Sequence, residues 1–174
     1  MQVPRVLVIM GVSGSGKTTV GAMLAGRLGW EFVDGDDFHP AVNVAKMHAG
    51  HPLDDDDRWP WLDGIARWID AVRATGGRGV VACSALKRAY RDRLAGGRED
   101  VMLVFLEGDA ALIAERQGAR HGHYMPSSLV ASQFAALEPP DADEREIEVS
   151  VALPAAEVVL SVVAKVGIVE VGAA

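Results

Sequence analysis

The sequence predicts an α/β protein: a parallel β-sheet with helices on both faces and a phosphate-binding loop at the end of one strand. Two observations carry this. Short, continuous runs of branched apolar residues alternate along the 174-residue chain with stretches whose apolar residues recur every three or four positions. That is the pattern of buried parallel strands joined by crossover helices. The first apolar run leads straight into "GVSGSGKTTVG", residues 11–21, where glycines, a lysine and two threonines follow a strand and open a helix.

"RVLVIM" is short and apolar throughout, as a strand buried on both faces requires. Beyond the glycine loop, Val20, Leu24 and Leu28 keep helical spacing, and Gly29 supplies a stop. "EFVD" reads as a second strand. Residues 58–75 place Trp61, Leu62, Ile65, Trp68, Ile69 and Val72 on one helical face, ended by Gly76 and Gly77. "GVVAC" is the third strand and "VMLVFL" the fourth, each followed by a helical stretch. "EIEVSV" makes a fifth strand, and residues 155–166 a closing helix after Pro154. Residues 118–126, "GARHGHYMP", form the most polar and loop-like insertion, and the terminal "VEVGAA" reads as an edge strand or a loose tail. No internal repeat appears, so residues 1–174 are expected to form one domain.

Composition sets limits on function. Hydrophobic residues make up 49% and charged residues 24%, which is a folded composition. A net charge of −7 disfavours general binding to nucleic acid or anionic membrane. An anionic substrate would therefore need a local positive pocket. Cys83 is the only cysteine, which excludes an internal disulfide and fits a reducing, cytoplasmic setting. The first apolar run is too short for a signal-peptide core, and the stretch from Val151 is broken by Pro154, Glu157, Lys165 and Glu170. No membrane association is expected.

Gly11, Gly16, Lys17 and Thr18 satisfy G-x-x-x-x-G-K-[ST] in the required strand-to-helix context. In such a loop the backbone N–H groups turn inward around phosphate oxygens at the positive end of a helix. The candidate nucleotide-binding set is Gly11, Ser13, Gly14, Ser15, Gly16, Lys17, Thr18 and Thr19, with Lys17 reaching the outer phosphates and Thr18 a Mg²⁺ ion. The third strand ends in Cys83 and Ser84 rather than an aspartate, and no N-K-x-D sequence for guanine occurs. Those features favour a small-molecule kinase using ATP and Mg²⁺. A regulatory module that binds ATP without turnover is the alternative from another class.

Further groups should share the cleft. "FVDGDDFHP" puts Asp34, Asp36 and Asp37 at the end of the second strand, where a kinase needs a carboxylate for the acceptor hydroxyl and another near magnesium. The four aspartates of "HPLDDDDRWPWL" read as a solvated loop, while Arg58 offers a planar fork to a carboxylate or pairs with Asp57. Ser84 and Lys87 follow the third strand and suit an anionic or hydroxylated substrate. Arg88, Arg91 and Arg93 read as surface residues of the next helix. Arg116 and Arg120, four apart, share a helical face that serves an ATP site or a solvated surface. The pairs His48/His51 and His121/His123 lack the partners of a tetrahedral metal site.

The motifs "GVSGSGKTTVG", "DGDDFHP", "NVAKMHAGHPLDDDDRWPWL", "ACSALKRAYRDRL" and "GHYMPSSLVASQFAALEPP" resemble the gluconokinase family, from the loop to about Pro140. The resemblance implies a P-loop fold similar to shikimate kinase and the nucleoside monophosphate kinases. Its five parallel strands would run in the order 2-3-1-4-5, with a mobile lid over about residues 116–126. The implied reaction converts ATP and D-gluconate to ADP and 6-phospho-D-gluconate, and the implied assembly is a homodimer. Asp34 would then support magnesium, and Asp36 the substrate hydroxyl. His39, Arg58 and Lys87 would face the substrate, Arg116 the adenine, and Arg120 the transferring phosphoryl group. Shikimate and nucleoside monophosphates remain the alternative acceptors.

Overall fold

The computed structural model describes residues 3–118 and 127–168. Five parallel strands form one sheet: β1 (Val6–Met10), β2 (Glu31–Asp34), β3 (Gly79–Ala82), β4 (Val101–Glu107) and β5 (Glu146–Ser150). Their order is β2-β3-β1-β4-β5, as the family resemblance implies. Every residue of β1 is fully buried, because the strand has neighbours on both edges and helices on both faces. Its alternation divides the core in two. Leu7 and Ile9 point to one layer, with Val20, Leu24 and Leu28 of α1 (Lys17–Leu28) and Val158 and Val162 of α7 (Ala155–Val166). Val6, Val8 and Met10 point to the other, with Leu62, Ile65 and Ile69 of α3 (Asp55–Ala74) and Tyr90 and Leu94 of α4 (Arg88–Ala95). Two further helices, α5 (Ala110–Gly118) and α6 (Ser127–Ala136), lie between β4 and β5 in the chain. The terminal "VEVGAA" lies outside the described residues, of which none forms a helix long and apolar enough to cross a membrane.

Three sequence readings need correction. The aspartate run is not a solvated loop. Asp54 caps α3 by accepting the Asp57 N–H at 2.8 Å, and the Asp57 carboxylate accepts the Asp54 N–H at 3.0 Å. This reciprocal capping box starts the helix at Asp55 rather than at residue 58, and it sets acids against the positive helix end. Between β2 and α3 the chain also makes a 3₁₀ turn (Gly35–Phe38) and α2 (Ala41–His48), which apolar periodicity does not signal. The third correction is Arg91. It is 1% exposed rather than a surface residue.

Arg91 uses its whole guanidinium. Nε and Nη2 donate to the two Glu144 oxygens at 2.6 and 2.8 Å, and Nη1 donates to the carbonyls of Glu138 at 2.7 Å and Leu86 at 3.1 Å. The fork thereby fastens α4 to the connection entering β5 and to the chain leaving β3. Burial alone would raise the Glu144 carboxyl, but Arg91 and the Asp141 N–H outweigh it and hold the group below its ordinary value of 4.5. Glu144→Ala should strand the buried guanidinium and cost about 3–5 kcal/mol in urea unfolding. In the intact protein, the contribution of Glu144 is complete above about pH 4.5 and is lost as pH falls through the lower folded value. A loss below 1 kcal/mol in the variant would show that the pair is dispensable.

Candidate active site

The chain leaves β1 at Met10, turns through residues 11–16 and enters α1 at Lys17. Gly11 (φ 148°) packs so closely that a Cβ would lie 2.8 Å from Ser15 Oγ and 2.9 Å from the Leu106 carbonyl oxygen. Gly14 (φ 84°) lies under Gln117, whose Nε2 would be 2.3 Å from an added Cβ. Both positions therefore demand glycine. Gly16 stands at the N-cap of α1 and supplies no side-chain cap, which leaves the first helical N–H groups for a ligand. Ser15 Oγ is buried with no hydrogen-bond partner among the described residues. Open N–H groups and an orphaned hydroxyl at a positive helix end fit a polyphosphate. Lys17 Nζ folds back onto the Val12 carbonyl oxygen at 3.0 Å.

The end of β2 supplies the acids. Thr18 Oγ1 donates to Asp34 Oδ2 at 2.8 Å, and the other Asp34 oxygen accepts the Asp36 N–H at 2.9 Å. Asp34 is thus locked by α1 on one side and by the 3₁₀ turn on the other. The hydroxyl and carboxylate together offer oxygen donors of the kind magnesium takes while keeping waters and phosphate oxygens as its other ligands. A cleft of about 410 Å³ holds Ser13, Lys17, Thr18, Asp34, Asp36 and Ser84, so these sequence-predicted residues do converge. The crowding of this cleft raises the Asp36 carboxyl first, the Asp34 charge raises it second, and His39 and Lys17 pull the other way. The side chain is still 86% exposed, so water screens all of these influences. Cys83 also borders the cleft, but burial pushes its thiol up to about 12, which makes it inert.

Arg58 and Lys87 do not line that cleft. They border a neighbouring hollow of about 530 Å³ with Asp55 and Tyr90. Lys87 Nζ donates to Asp55 at 2.9 Å, the Tyr90 hydroxyl donates to the same carboxylate, and both cations lie over the Tyr90 ring. Arg58 does not pair with Asp57. It donates to the Leu53 carbonyl oxygen at 3.3 Å, while Asp57 takes Lys46. Arg116 borders a third hollow of about 290 Å³ with Gly14, Thr19, Val20, Val151 and Leu153, an apolar-sided slot beside the loop that suits a flat base. Arg120, and most of the residues 116–126 read as a lid, lie outside the described residues, as do His121 and His123. His48 and His51 are exposed, and the described residues contain no cluster of three or more metal-ligating side chains.

His39 stands beside Asp36. Its ring stacks on Trp61, with centroids 4.4 Å apart and planes 13° from parallel. Trp61 is itself fixed by an N–H donated to the Gly35 carbonyl oxygen at 2.7 Å. Behind the ring, Asn43 donates to the Asp57 carbonyl oxygen at 2.7 Å and turns the same amide nitrogen toward His39 Nδ1 at 3.5 Å. The other ring nitrogen, Nε2, faces Asp36 Oδ1 at 3.9 Å. Burial holds the imidazole below 6.5. Asp36 opposes that shift and Arg58 adds to it. Trp61, Asn43, Asp55, Tyr90, Gln117 and Gln133 are site-forming residues to which the sequence reading gave no functional role. Only Asp55 carried a local signal, as the first residue inside the capping box.

An AAA-domain family model matches residues 6–140. The chain is 49% identical over 147 residues to a gluconokinase of Gluconobacter oxydans, with 84% of this chain and 83% of that one covered. The crystal structure of a gluconokinase from Sinorhizobium meliloti superposes with a TM-score of 0.86 at 45% identity, over 96% of this chain and 94% of that one. A shikimate kinase from Aquifex aeolicus superposes with a TM-score of 0.59 at 16% identity, over 93% of this chain and 96% of that one, a likeness of fold alone.

The His39 environment has a measurable consequence. Its imidazole should titrate below 6.5 in an NMR pH series, and the fold should lose some stability as pH drops from about 6.5 toward that lower midpoint. A midpoint above 6.5 would mean that the Asp36 charge prevails over burial.

Proposed function

The chain belongs to the AAA-domain family and to the gluconokinases, and from that premise we propose that it moves the γ-phosphoryl group of ATP onto D-gluconate. The products are ADP and 6-phospho-D-gluconate. The observation that carries this reading is a single cleft in which the phosphate loop and Asp36 meet, beside a hollow bearing Arg58 and Lys87. A phosphate donor and an acid-bearing acceptor each find matching chemistry there.

We assign the residue roles from the layout of the described residues and, for Arg120, from the family resemblance. The loop amides and Lys17 neutralise charge on the outer phosphates as it shifts toward the leaving ADP. Thr18 and Asp34 would hold magnesium, which when bound supplies further charge neutralisation and fixes the phosphates. Asp36 orients the acceptor hydroxyl and takes its proton as the new O–P bond forms and the bond to ADP breaks. His39, stacked on Trp61, borders Asp36 with Nε2 at 3.9 Å. Arg58 and Lys87 take the substrate carboxylate, Arg116 borders the adenine, and Arg120 is assigned to the transferring phosphoryl group. The direct test is ADP release across an acceptor panel with ATP and Mg²⁺. Gluconate alone should support turnover, and a preference for shikimate or a nucleoside monophosphate would overturn the assignment.

The two carboxylates separate in a magnesium titration with gluconate saturating. Asp36→Asn keeps the shape but removes the base, and should lower kcat by roughly 10²–10⁴ at every magnesium concentration. Asp34→Asn should instead raise the magnesium requirement. If excess magnesium restores Asp36→Asn but not Asp34→Asn, the roles are reversed.

A further inference from the structure

We propose that Gln117 and Gln133 are positioning residues for the phosphate loop, acting on ATP through the backbone of Ser13. Both peptide groups of this one residue are held by side chains distant in sequence. The Ser13 N–H donates to Gln133 Oε1 of α6 at 3.1 Å, and Gln117 Nε2 of α5 donates to the Ser13 carbonyl oxygen at 2.9 Å. Two helices therefore grip the loop at its third residue, from either side.

The packing around Gln117 shows that the grip is built into the loop. Gln117 is 9% exposed and fills the space over Gly14 that any Cβ would take. Its Oε1 is buried without a hydrogen-bond partner among the described residues, so its position is not explained by satisfying its own amide. The bond that Nε2 makes is to the loop. Gln133 borders the same cleft as Lys17, Thr18 and Asp36, and so stands beside the phosphates rather than behind them. A carboxamide suits this place because it accepts a backbone N–H without adding negative charge next to a polyanion.

The physical consequence is preorganisation. A loop of residues 11–16 containing three glycines with positive φ has many accessible conformations, and an anion that must order it binds more weakly. Fixing the two peptide groups on either side of the Ser13 Cα removes that freedom before ATP arrives. Because the two bonds jointly set the φ and ψ of one residue, they act as a unit: releasing either frees the turn, and releasing the second adds little.

The proposal rests on reading the cleft as an ATP site. Nucleotide binding is read with no acceptor present, so its failure is separable from a failure of the gluconate assignment. Gln117→Met and Gln133→Met keep volume while removing the polar contact, and Gln117→Glu keeps shape while removing the donor. Calorimetry with a non-hydrolysable ATP analogue and Mg²⁺ should show each single Met variant binding about 3–10-fold more weakly, the scale of one hydrogen bond. The double Met variant should lose clearly less than the product of the two single losses. Gln117→Glu should be at least as weak as Gln117→Met, and KM for gluconate should stay within about twofold. Unchanged nucleotide affinity with a lowered melting temperature would make the pair merely structural. Losses that multiply in the double variant would show two unrelated contacts. Either result overturns the proposal.

Discussion

The complete burial of β1 is the constraint from which the rest of the structure follows. A strand with no exposed surface must pair on both edges and be covered on both faces. Parallel partners cannot be reached by hairpins, so each connection carries a helix across one face, and all strands deliver their carboxyl ends to the same rim. That rim is where the glycine loop leaves β1, where Asp34 leaves β2 and where Ser84 follows β3. The site is assembled from segments that never meet in sequence, by a sheet that ends them together.

Within that rim the protein solves an electrostatic problem. A chain of net charge −7 that acts on a sugar acid cannot rely on net charge to attract it, and its rim offers uncapped backbone amides and locally placed cations instead. Its acids are kept on short tethers. Asp34 is engaged by both oxygens, Asp55 by Lys87 and Tyr90, and Asp57 by Lys46 and the cap of α3. Asp36 reaches into the cleft with its side chain exposed, and His39 Nε2 lies 3.9 Å from it.

Much of this was legible in the sequence, and the reason is locality. Five strands, the glycine loop and Asp34 with Asp36 are contiguous patterns whose chemistry sits within a few residues. What stayed hidden depended on contacts across the chain. α2 escaped notice because the residue it buries is Asn43, while Val42 is 71% exposed, so no apolar stripe marks it. The aspartate run looked like solvated charge, although D-x-x-D ahead of an apolar helix is a capping pattern. Arg91 read as a surface cation because its partner lies 53 residues away, and Gln117 and Gln133 reach Ser13 across 104 and 120 residues. The strand order itself followed from family resemblance, since periodicity alone says nothing about which strands are neighbours.

The buried Arg91–Glu144 fork also constrains how this sequence can drift. An apolar pair of matching volume could fill the same space with little loss or even a gain in stability. Neither partner reaches that state easily alone: losing Glu144 abandons the Arg91 charge in the interior, and losing Arg91 leaves Glu144 with Arg88 at 3.7 Å and the Asp141 N–H while the carbonyls of Ala85, Leu86 and Glu138 lose their donor. The route from the ionic solution to the greasy one passes through a poorly folded intermediate. Descendants of this chain should therefore keep both residues or replace them together, a coupling enforced by stability.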